Sequence, residues 1–238
     1  MLENIQIEKV LFLDIETVPM APDFESLPEV FQRLWERKSA HFRKENETAA
    51  DVFARAGIYA EFGKVICISV GFIYLREQER YLKIKTFYGN DEKDLLSTFA
   101  AFLDKNSHFA LCAHNGKEFD FPYLARRMLI NGIHLPQLLD MSGKKPWETT
   151  YIDTMELWKF GDHKNYTSLD LLAAVFNIPS SKDDIDGSMV HQVYWKDHDL
   201  PRIVRYCEKD VVAMARLLLR YKLEPLIPDD HIDSITEI

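Results

Sequence analysis

The sequence predicts an α/β fold with one mixed, five-stranded sheet, helices on both faces and a helical insertion after the first strand. Short apolar runs rich in β-branched and aromatic residues alternate with segments of helical periodicity. Two of these runs, 65–74 and 81–88, flank the charged turn REQER, which indicates a hairpin. The 238 residues suit one large domain, with the insertion at about 20–60 and a short C-terminal tail at about 225–238.

The other elements follow in chain order. Residues 10–16 (VLFLDIE) form an apolar strand that ends at a Thr-Val-Pro turn, and apolar residues with helical spacing mark the insertion from residue 28 onwards. Beyond the hairpin, apolar runs predict strands at 108–114 and 151–157. Periodicity and turn residues predict helices at about 91–106, 120–131, 168–177 and 199–221.

The composition is that of an ordinary globular protein, with 47% hydrophobic and 28% charged residues. Cys67, Cys112 and Cys207 are odd in number and lack metal-ligand spacing, which favours buried thiols in a reducing compartment. The first residues lack the apolar stretch of a secretory signal. The longest apolar run, 65–75, is too short to span a bilayer. We therefore expect a cytoplasmic protein that does not associate with membranes.

The formal net charge of −9 argues against a protein that coats nucleic acid, since neutralising many phosphates needs a basic surface. This net charge does not exclude an enzyme that binds only a few nucleotides. A cluster of carboxylates that binds cations adds to the negative count, and the bound cations then attract phosphate.

Asp14 and Glu16 are the first candidate site residues. They alternate with Ile15 at the end of an apolar strand, so both carboxylates point to one face of the sheet, roughly 7 Å apart. Two buried carboxylates on one face repel each other unless cations or strong donors lie between them. An exposed strand end, where acids are common, explains the pair equally well.

Asp120 and the pair Tyr206 and Asp210 are further candidates. Asp120 starts a helix, where capping is the default role, but it follows the polar segment HNGKEF at the carboxyl end of an apolar strand, where sites of α/β sheets gather. Tyr206 and Asp210 stand four residues apart on one face of the last predicted helix. A tyrosine at the edge of the core beside a surface acid is the alternative explanation for that pair.

Together these segments resemble the DEDD exonuclease superfamily, and most closely the proofreading exonuclease domain of family-B DNA polymerases. The resemblance covers residues from about 9 to 221 without the insertion, and it implies a ribonuclease H-like fold. The chain resembles the tyrosine subclass, which has Tyr at the position of Tyr206, because the position used by the histidine subclass holds Arg205. The residues that match the motifs are Asp14, Glu16 and Thr17 in LDIET, Asn115, Phe119 and Asp120, and Tyr206 and Asp210. The segments YIDT and TSLDL also look like family sequence.

The resemblance implies a stand-alone 3′-5′ exonuclease that needs two Mg²⁺ or Mn²⁺ ions. By this resemblance, Asp14, Glu16 and Asp210 would hold one ion, and Asp14 and, directly or through water, Asp120 would hold the other. Oxygen ligands suit both metals. Tyr206 would orient the attacking water. Thr17, Asn115 and Phe119 would bind the terminal nucleotide. The substrate would be single-stranded nucleic acid with a free 3′ end, DNA rather than RNA, and the products nucleoside 5′-monophosphates.

Other functions remain open from the sequence. One is a non-catalytic module of the same fold that binds nucleic acid or a partner protein. Another is a ribonuclease that acts on RNA 3′ ends, since recognition of a 2′-OH depends on pocket geometry. An endonuclease of the ribonuclease H type would lack the Asn-aromatic-Asp and Tyr-Asp pairings.

Overall fold

The structure, a computed structural model, describes residues 2–145, 148–162, 166–179 and 184–237; residue 238 of the predicted tail lies outside them. Its strands are β1 Val10–Pro19, β2 Gly63–Arg76, β3 Glu79–Tyr88, β4 Ala110–Ala113, β5 Ile152–Asp153 and β6 Ile232–Ser234. They form one sheet in the order β5-β4-β1-β2-β3-β6. β2 is antiparallel to both β1 and β3, while the β1–β4, β4–β5 and β3–β6 pairs are parallel. The predicted mixed α/β sheet is confirmed.

The α-helices are α1 Glu29–Ser39, α2 Glu92–Lys105, α3 Asp120–Ile130, α4 Thr154–Lys159, α5 Leu169–Val175, α6 Val190–Trp195 and α7 Leu200–Tyr221. Those predicted at 91–106, 120–131, 168–177 and 199–221 correspond to α2, α3, α5 and α7. Among the described residues, no helix is both long and apolar enough to cross a bilayer.

Neighbouring residues of β3 show that helices cover both faces of the sheet. Thr86 donates a hydrogen bond to Glu208 of α7 at 2.9 Å. The next residue, Phe87, packs edge-on against Phe99 of α2, with 5.4 Å between ring centroids. Because successive side chains of a strand point to opposite faces, α7 and α2 lie on opposite sides of the sheet.

The long helix α7 lies directly on the centre of the sheet. Gly71 of β2 permits this approach, since a Cβ at that position would lie 2.7 Å from Cγ1 of Val211. The buried side of α7 carries Tyr206, Cys207 and Asp210 near its middle and apolar residues towards its end. The packing therefore presses the polar middle of α7 against β1 and β2.

The insertion at about 20–60 is only partly helical. Apart from α1 it contains a 3-10 helix, Phe53–Ile58, and turns. A separate apolar cluster surrounds the fully buried Trp35, whose Nε1 donates to the Ala49 carbonyl at 2.9 Å. The insertion, whose sequence has mixed charge, therefore contains a small apolar core of its own.

In the part of the chain that the structure describes, the sheet has six strands rather than the expected five. Residues 232–234 of the predicted tail pair with β3 as β6. The strand predicted at 151–157 is only two residues long, because the Asp153 side chain accepts hydrogen bonds from the amides of Met155 and Glu156 and thereby caps α4.

Candidate active site

Asp14 and Glu16 lie on β1, on the face that α7 covers. In the antiparallel register Asp14 stands opposite Ser69 and Glu16 opposite Cys67, and a bulge follows between Glu16 and Thr17. Glu16 is buried, with 8% of its surface exposed, and Asp14 is partly buried. The strand thus places both carboxylates beneath α7, on the face predicted from their spacing.

Asp120 is the first residue of α3, and its carboxylate is tied to β1. It accepts hydrogen bonds from its own amide and from the amide of Ile15, the residue between the two β1 acids. The capping position belongs to Phe119, which makes no side-chain cap. Burial raises the pKa of Asp120 to about 7, although the two amide hydrogen bonds act in the opposite direction.

Tyr206 and Asp210 stand one turn apart on one face of α7. Both residues are buried. Burial and then the negative charges of Asp210, Glu16 and Asp14 raise the pKa of Tyr206 above its ordinary value. Tyr206 is therefore protonated at neutral pH.

The four predicted carboxylates act on one another electrostatically. Burial is the main cause that raises the pKa values of Asp14 and Glu16, followed by the charge of Asp210. Asp120 repels both residues, and Asp210 contributes to the raised pKa of Asp120. The structure therefore brings together acids from β1, α3 and α7 in one cluster, which we call the acidic cluster (Asp14, Glu16, Asp120 and Asp210).

Cys207 belongs to this site and was missed from the sequence. Its Sγ lies 3.2 Å from Oδ2 of Asp14 and donates a hydrogen bond to it. One ligand atom each from Asp14, Glu16 and Cys207 lie within 4.8 Å of one another. Burial and a hydrogen bond with Cys67 raise the pKa of Cys207, so the sulfur is a neutral thiol that orients Asp14 and a poor metal ligand. Its position three residues before Asp210 on a helix was the available signal.

The donor set of the acidic cluster fits a hard divalent cation. Asp14 and Glu16 have carboxylates that are crowded by like charges, and Cys207 supplies the hydrogen bond that lowers the pKa of Asp14. Such a cluster is costly when ionised unless cations compensate it. Carboxylate oxygens are the ligands that Mg²⁺ and Mn²⁺ prefer.

Asn115, Phe119 and Thr17 border the acidic cluster in the chain, and their environments differ. Asn115 has a left-handed backbone, with φ of 66°, and its buried Oδ1 has no hydrogen-bond partner among the described residues. Phe119 is partly buried and packs against Tyr123, with ring centroids 5.4 Å apart. The Thr17 hydroxyl donates to the Gly57 carbonyl at 2.9 Å, which ties the insertion to β1.

Asp153 fixes the loop that leads to Asp120, a role that sequence reasoning did not assign. Besides capping α4, its carboxylate accepts hydrogen bonds from the amides of Asn115 at 3.0 Å and Lys117 at 3.1 Å. The side chain is 3% exposed. The segment YIDT carried the signal, but only the fold shows that Asp153 meets the loop after β4.

Comparison with known proteins identifies the class to which this fold and site belong. Residues 58–229 match a family described as predicted 3′-5′ exonuclease related to the exonuclease domain of PolB. The chain belongs to this family, and the resemblance inferred from its motifs is confirmed at that level. The matched residues include Asp120, Tyr206 and Asp210 but begin after Asp14 and Glu16. PolB-like exonuclease domains use divalent metals, and the acidic cluster is a possible place for them.

A solved structure shows a similar fold. The family B DNA polymerase from the hyperthermophilic archaeon Pyrobaculum calidifontis superimposes with a TM-score of 0.52 at 18% identity. The similarity covers 90% of this chain and 24% of the polymerase chain. This chain thus corresponds to about a quarter of that polymerase. No curated protein matches the sequence.

Proposed function

We propose that this protein is a two-metal-ion 3′-5′ exonuclease that removes nucleoside 5′-monophosphates from the free 3′ end of single-stranded nucleic acid. The observation that carries the proposal is the acidic cluster, in which carboxylates from β1, α3 and α7 lie close enough to raise one another's pKa values and that of Tyr206. DNA is the proposed substrate, because the family is related to the exonuclease domain of a DNA polymerase.

The acidic cluster would hold both cations. Asp14, Glu16 and Asp210 are the proposed ligands of one ion, and Asp14 and Asp120 of the other. Two such cations, when bound, stabilise the attacking and the leaving oxygens of a phosphodiester displacement. The protein itself sets the direction of the ligands: Cys207 orients Asp14 by its hydrogen bond at 3.2 Å, and the Ile15 amide orients Asp120.

Tyr206 is proposed to position the attacking water. Its raised pKa keeps the hydroxyl protonated at neutral pH, so it cannot act as the general base. The phenol oxygen keeps lone pairs that can accept a hydrogen bond from a water molecule. A water that donates to Tyr206 is held in a fixed orientation, which lowers the entropic cost of attack.

Three residues are proposed to bind the terminal nucleotide. Oδ1 of Asn115, which has no hydrogen-bond partner among the described residues, is an acceptor suited to a sugar hydroxyl. Phe119 offers a ring on which any base can stack. The Thr17 oxygen, whose proton is used by Gly57, keeps lone pairs for a donor on the nucleotide.

The decisive experiment is digestion of end-labelled oligonucleotides in Mg²⁺, Mn²⁺ or EDTA. We expect a single-stranded DNA labelled at its 5′ end to shorten stepwise in either metal, to release nucleoside 5′-monophosphates and to stay intact in EDTA. A 3′-phosphate block should stall digestion, and a duplex should resist because unpairing its end costs energy.

Three outcomes of the same experiment would contradict the proposal. Cleavage of a circular single strand would show an endonuclease. Digestion confined to RNA would show a ribonuclease. Tight binding of the oligonucleotide without cleavage in either metal would show a non-catalytic binding module.

A further inference from the structure

A cleft beside the end of β1 is separate from the acidic cluster. It has a volume of about 360 Å³ and is lined by Lys64, Asn90, Tyr194, Trp195, His198 and Leu200. Lys64 stands opposite Val18 in the β1–β2 register, and Trp195 Nε1 donates to the Pro19 carbonyl at 3.2 Å. Val18, Tyr194 and Tyr206 share one apolar cluster. The cleft, called the Lys64 cleft below, therefore opens at the same end of β1 as the candidate active site.

The ammonium group of Lys64 is held in place by aromatic residues. Its Nζ lies 4.7 Å from the ring centroid of Tyr194 and 4.8 Å from that of Trp195. It also donates to the Tyr194 hydroxyl at 2.8 Å, and this hydroxyl in turn donates to Asn90 Oδ1 at 2.9 Å. Long lysine side chains ordinarily lose much rotamer freedom on binding. The contacts of Lys64 already restrict its side chain in the folded protein, so that little further rotamer entropy is lost when a ligand binds.

The charge of Lys64 has no acidic counterpart among the described residues. Its contacts there are with ring faces and a hydroxyl, and no ion pair joins it to a carboxylate. An ammonium group has three donors, and the bond to Tyr194 uses one of them. A partly buried cation of this kind, in a protein of formal net charge −9, attracts an anion into the cleft.

We propose that the Lys64 cleft binds a backbone phosphate of the single-stranded substrate upstream of its 3′-terminal nucleotide. This inference rests on the proposed function. Val18 lies about 7 Å beyond Glu16 along the strand, and a stacked strand advances about 3.4 Å per nucleotide. Lys64 is thus placed for a phosphate two or more nucleotides from the cut end.

The test measures binding without cleavage. Dissociation constants of 5′-fluorescein-labelled oligothymidylates of two to eight nucleotides are measured by fluorescence anisotropy at several salt concentrations, with Ca²⁺ in place of Mg²⁺. We compare the wild type with Lys64→Gln and with Lys83→Gln. Lys83 is a matched control, because its Nζ also lies over a tyrosine ring, that of Tyr74 at 5.5 Å, but it pairs with Phe72 far along β2.

We expect Lys64→Gln to weaken binding of the octamer about fivefold at low salt, as for one exposed ion pair. The slope of log affinity against log salt should fall in magnitude by about 0.7, the value for one phosphate contact on a single strand. The penalty should be smaller for the dinucleotide. Lys83→Gln should change neither quantity. An unchanged slope for Lys64→Gln, or an equal change for Lys83→Gln, would overturn the proposal.

A charge-preserving variant guards against a folding defect. Lys64→Arg keeps a cation over the two rings, so it should restore the wild-type slope, and failure to restore it would count against the cleft.

The exonuclease proposal and the cleft proposal would be refuted by different results. A protein that binds with the expected slope yet never hydrolyses refutes the exonuclease and leaves the cleft standing. An active exonuclease whose Lys64→Gln variant keeps the wild-type slope refutes the cleft alone.

Discussion

Removing one charge from the acidic cluster should stabilise the metal-free protein while weakening its response to metal. Asp120→Asn is the most informative substitution, because Asp120 is 4% exposed and Asn is close to it in shape. Asparagine keeps an oxygen that can accept the Ile15 amide but carries no charge that is buried among like charges.

The magnitude follows from the pKa of Asp120, raised mainly by burial from 3.8 to about 7. The folded protein therefore keeps a proton that the unfolded chain has released, so wild-type stability falls as pH rises from about 4 to about 7. The gap of about three pH units, at about 1.4 kcal/mol each, sets a ceiling of about 4 kcal/mol. We expect about half of it, which for a chain of this size raises the melting temperature by about 4–8 °C.

The assay is thermal unfolding in EDTA at pH 5 and pH 8, followed by titration with Mn²⁺. Asp120→Asn should melt above the wild type at pH 8, lose most of that advantage at pH 5, and gain less from Mn²⁺. Asp104→Asn, which removes an exposed acid from α2, should track the wild type throughout. If Asp120→Asn melts at or below the wild type at pH 8 in EDTA, the electrostatic account of the cluster is wrong.

Further predictions concern the metals, the hydroxyl and the thiol. Mn²⁺ should raise the wild-type melting temperature, and Asp14→Ala should remove most of that shift; a flat wild-type titration would count against the site. Asp210→Ala should abolish detectable hydrolysis, whereas Tyr206→Phe should lower kcat roughly 10–10³-fold and keep the Mn²⁺ shift. An unchanged kcat for Tyr206→Phe would make Tyr206 a core residue. Cys207→Ser should keep Mn²⁺ affinity nearer to wild type than Cys207→Ala, since serine also donates to Asp14; equal affinities would exclude the orienting role.

Sequence patterns predicted the elements whose burial is continuous or periodic. The strand β1, the β2–β3 hairpin and α7 each carry an apolar pattern that is longer than a turn. The elements that were missed or misjudged depend on distant partners. β6 is three residues long and exists because β3 offers an open edge about 150 positions earlier in the chain. β5 is only two residues long because the Asp153 side chain accepts hydrogen bonds both from the first amides of α4 and from the amide of Asn115.

The candidate site shows the same division between local and distant information. The i, i+2 and i, i+4 spacings placed Asp14 with Glu16 and Tyr206 with Asp210 on common faces before any fold was known. No local pattern shows that the Ile15 amide reaches Asp120, or that Cys207 reaches Asp14. Those contacts depend on how closely α3 and α7 approach β1.

The acidic net charge and a nucleic-acid substrate are compatible because the negative charge at the site depends on pH and on bound cations. Burial and mutual repulsion raise the pKa values of Asp14, Glu16 and Asp120, so the metal-free cluster holds protons that ordinary carboxyl groups would have lost. Cations that bind there must displace those protons, and metal affinity therefore rises with pH. In the proposed two-cation state, the cations would offset the four carboxylates and remove their repulsion of phosphate, and Lys64 would add a positive charge at the same end of β1. A positive charge at this end of β1 suits an enzyme that holds a few nucleotides at a time.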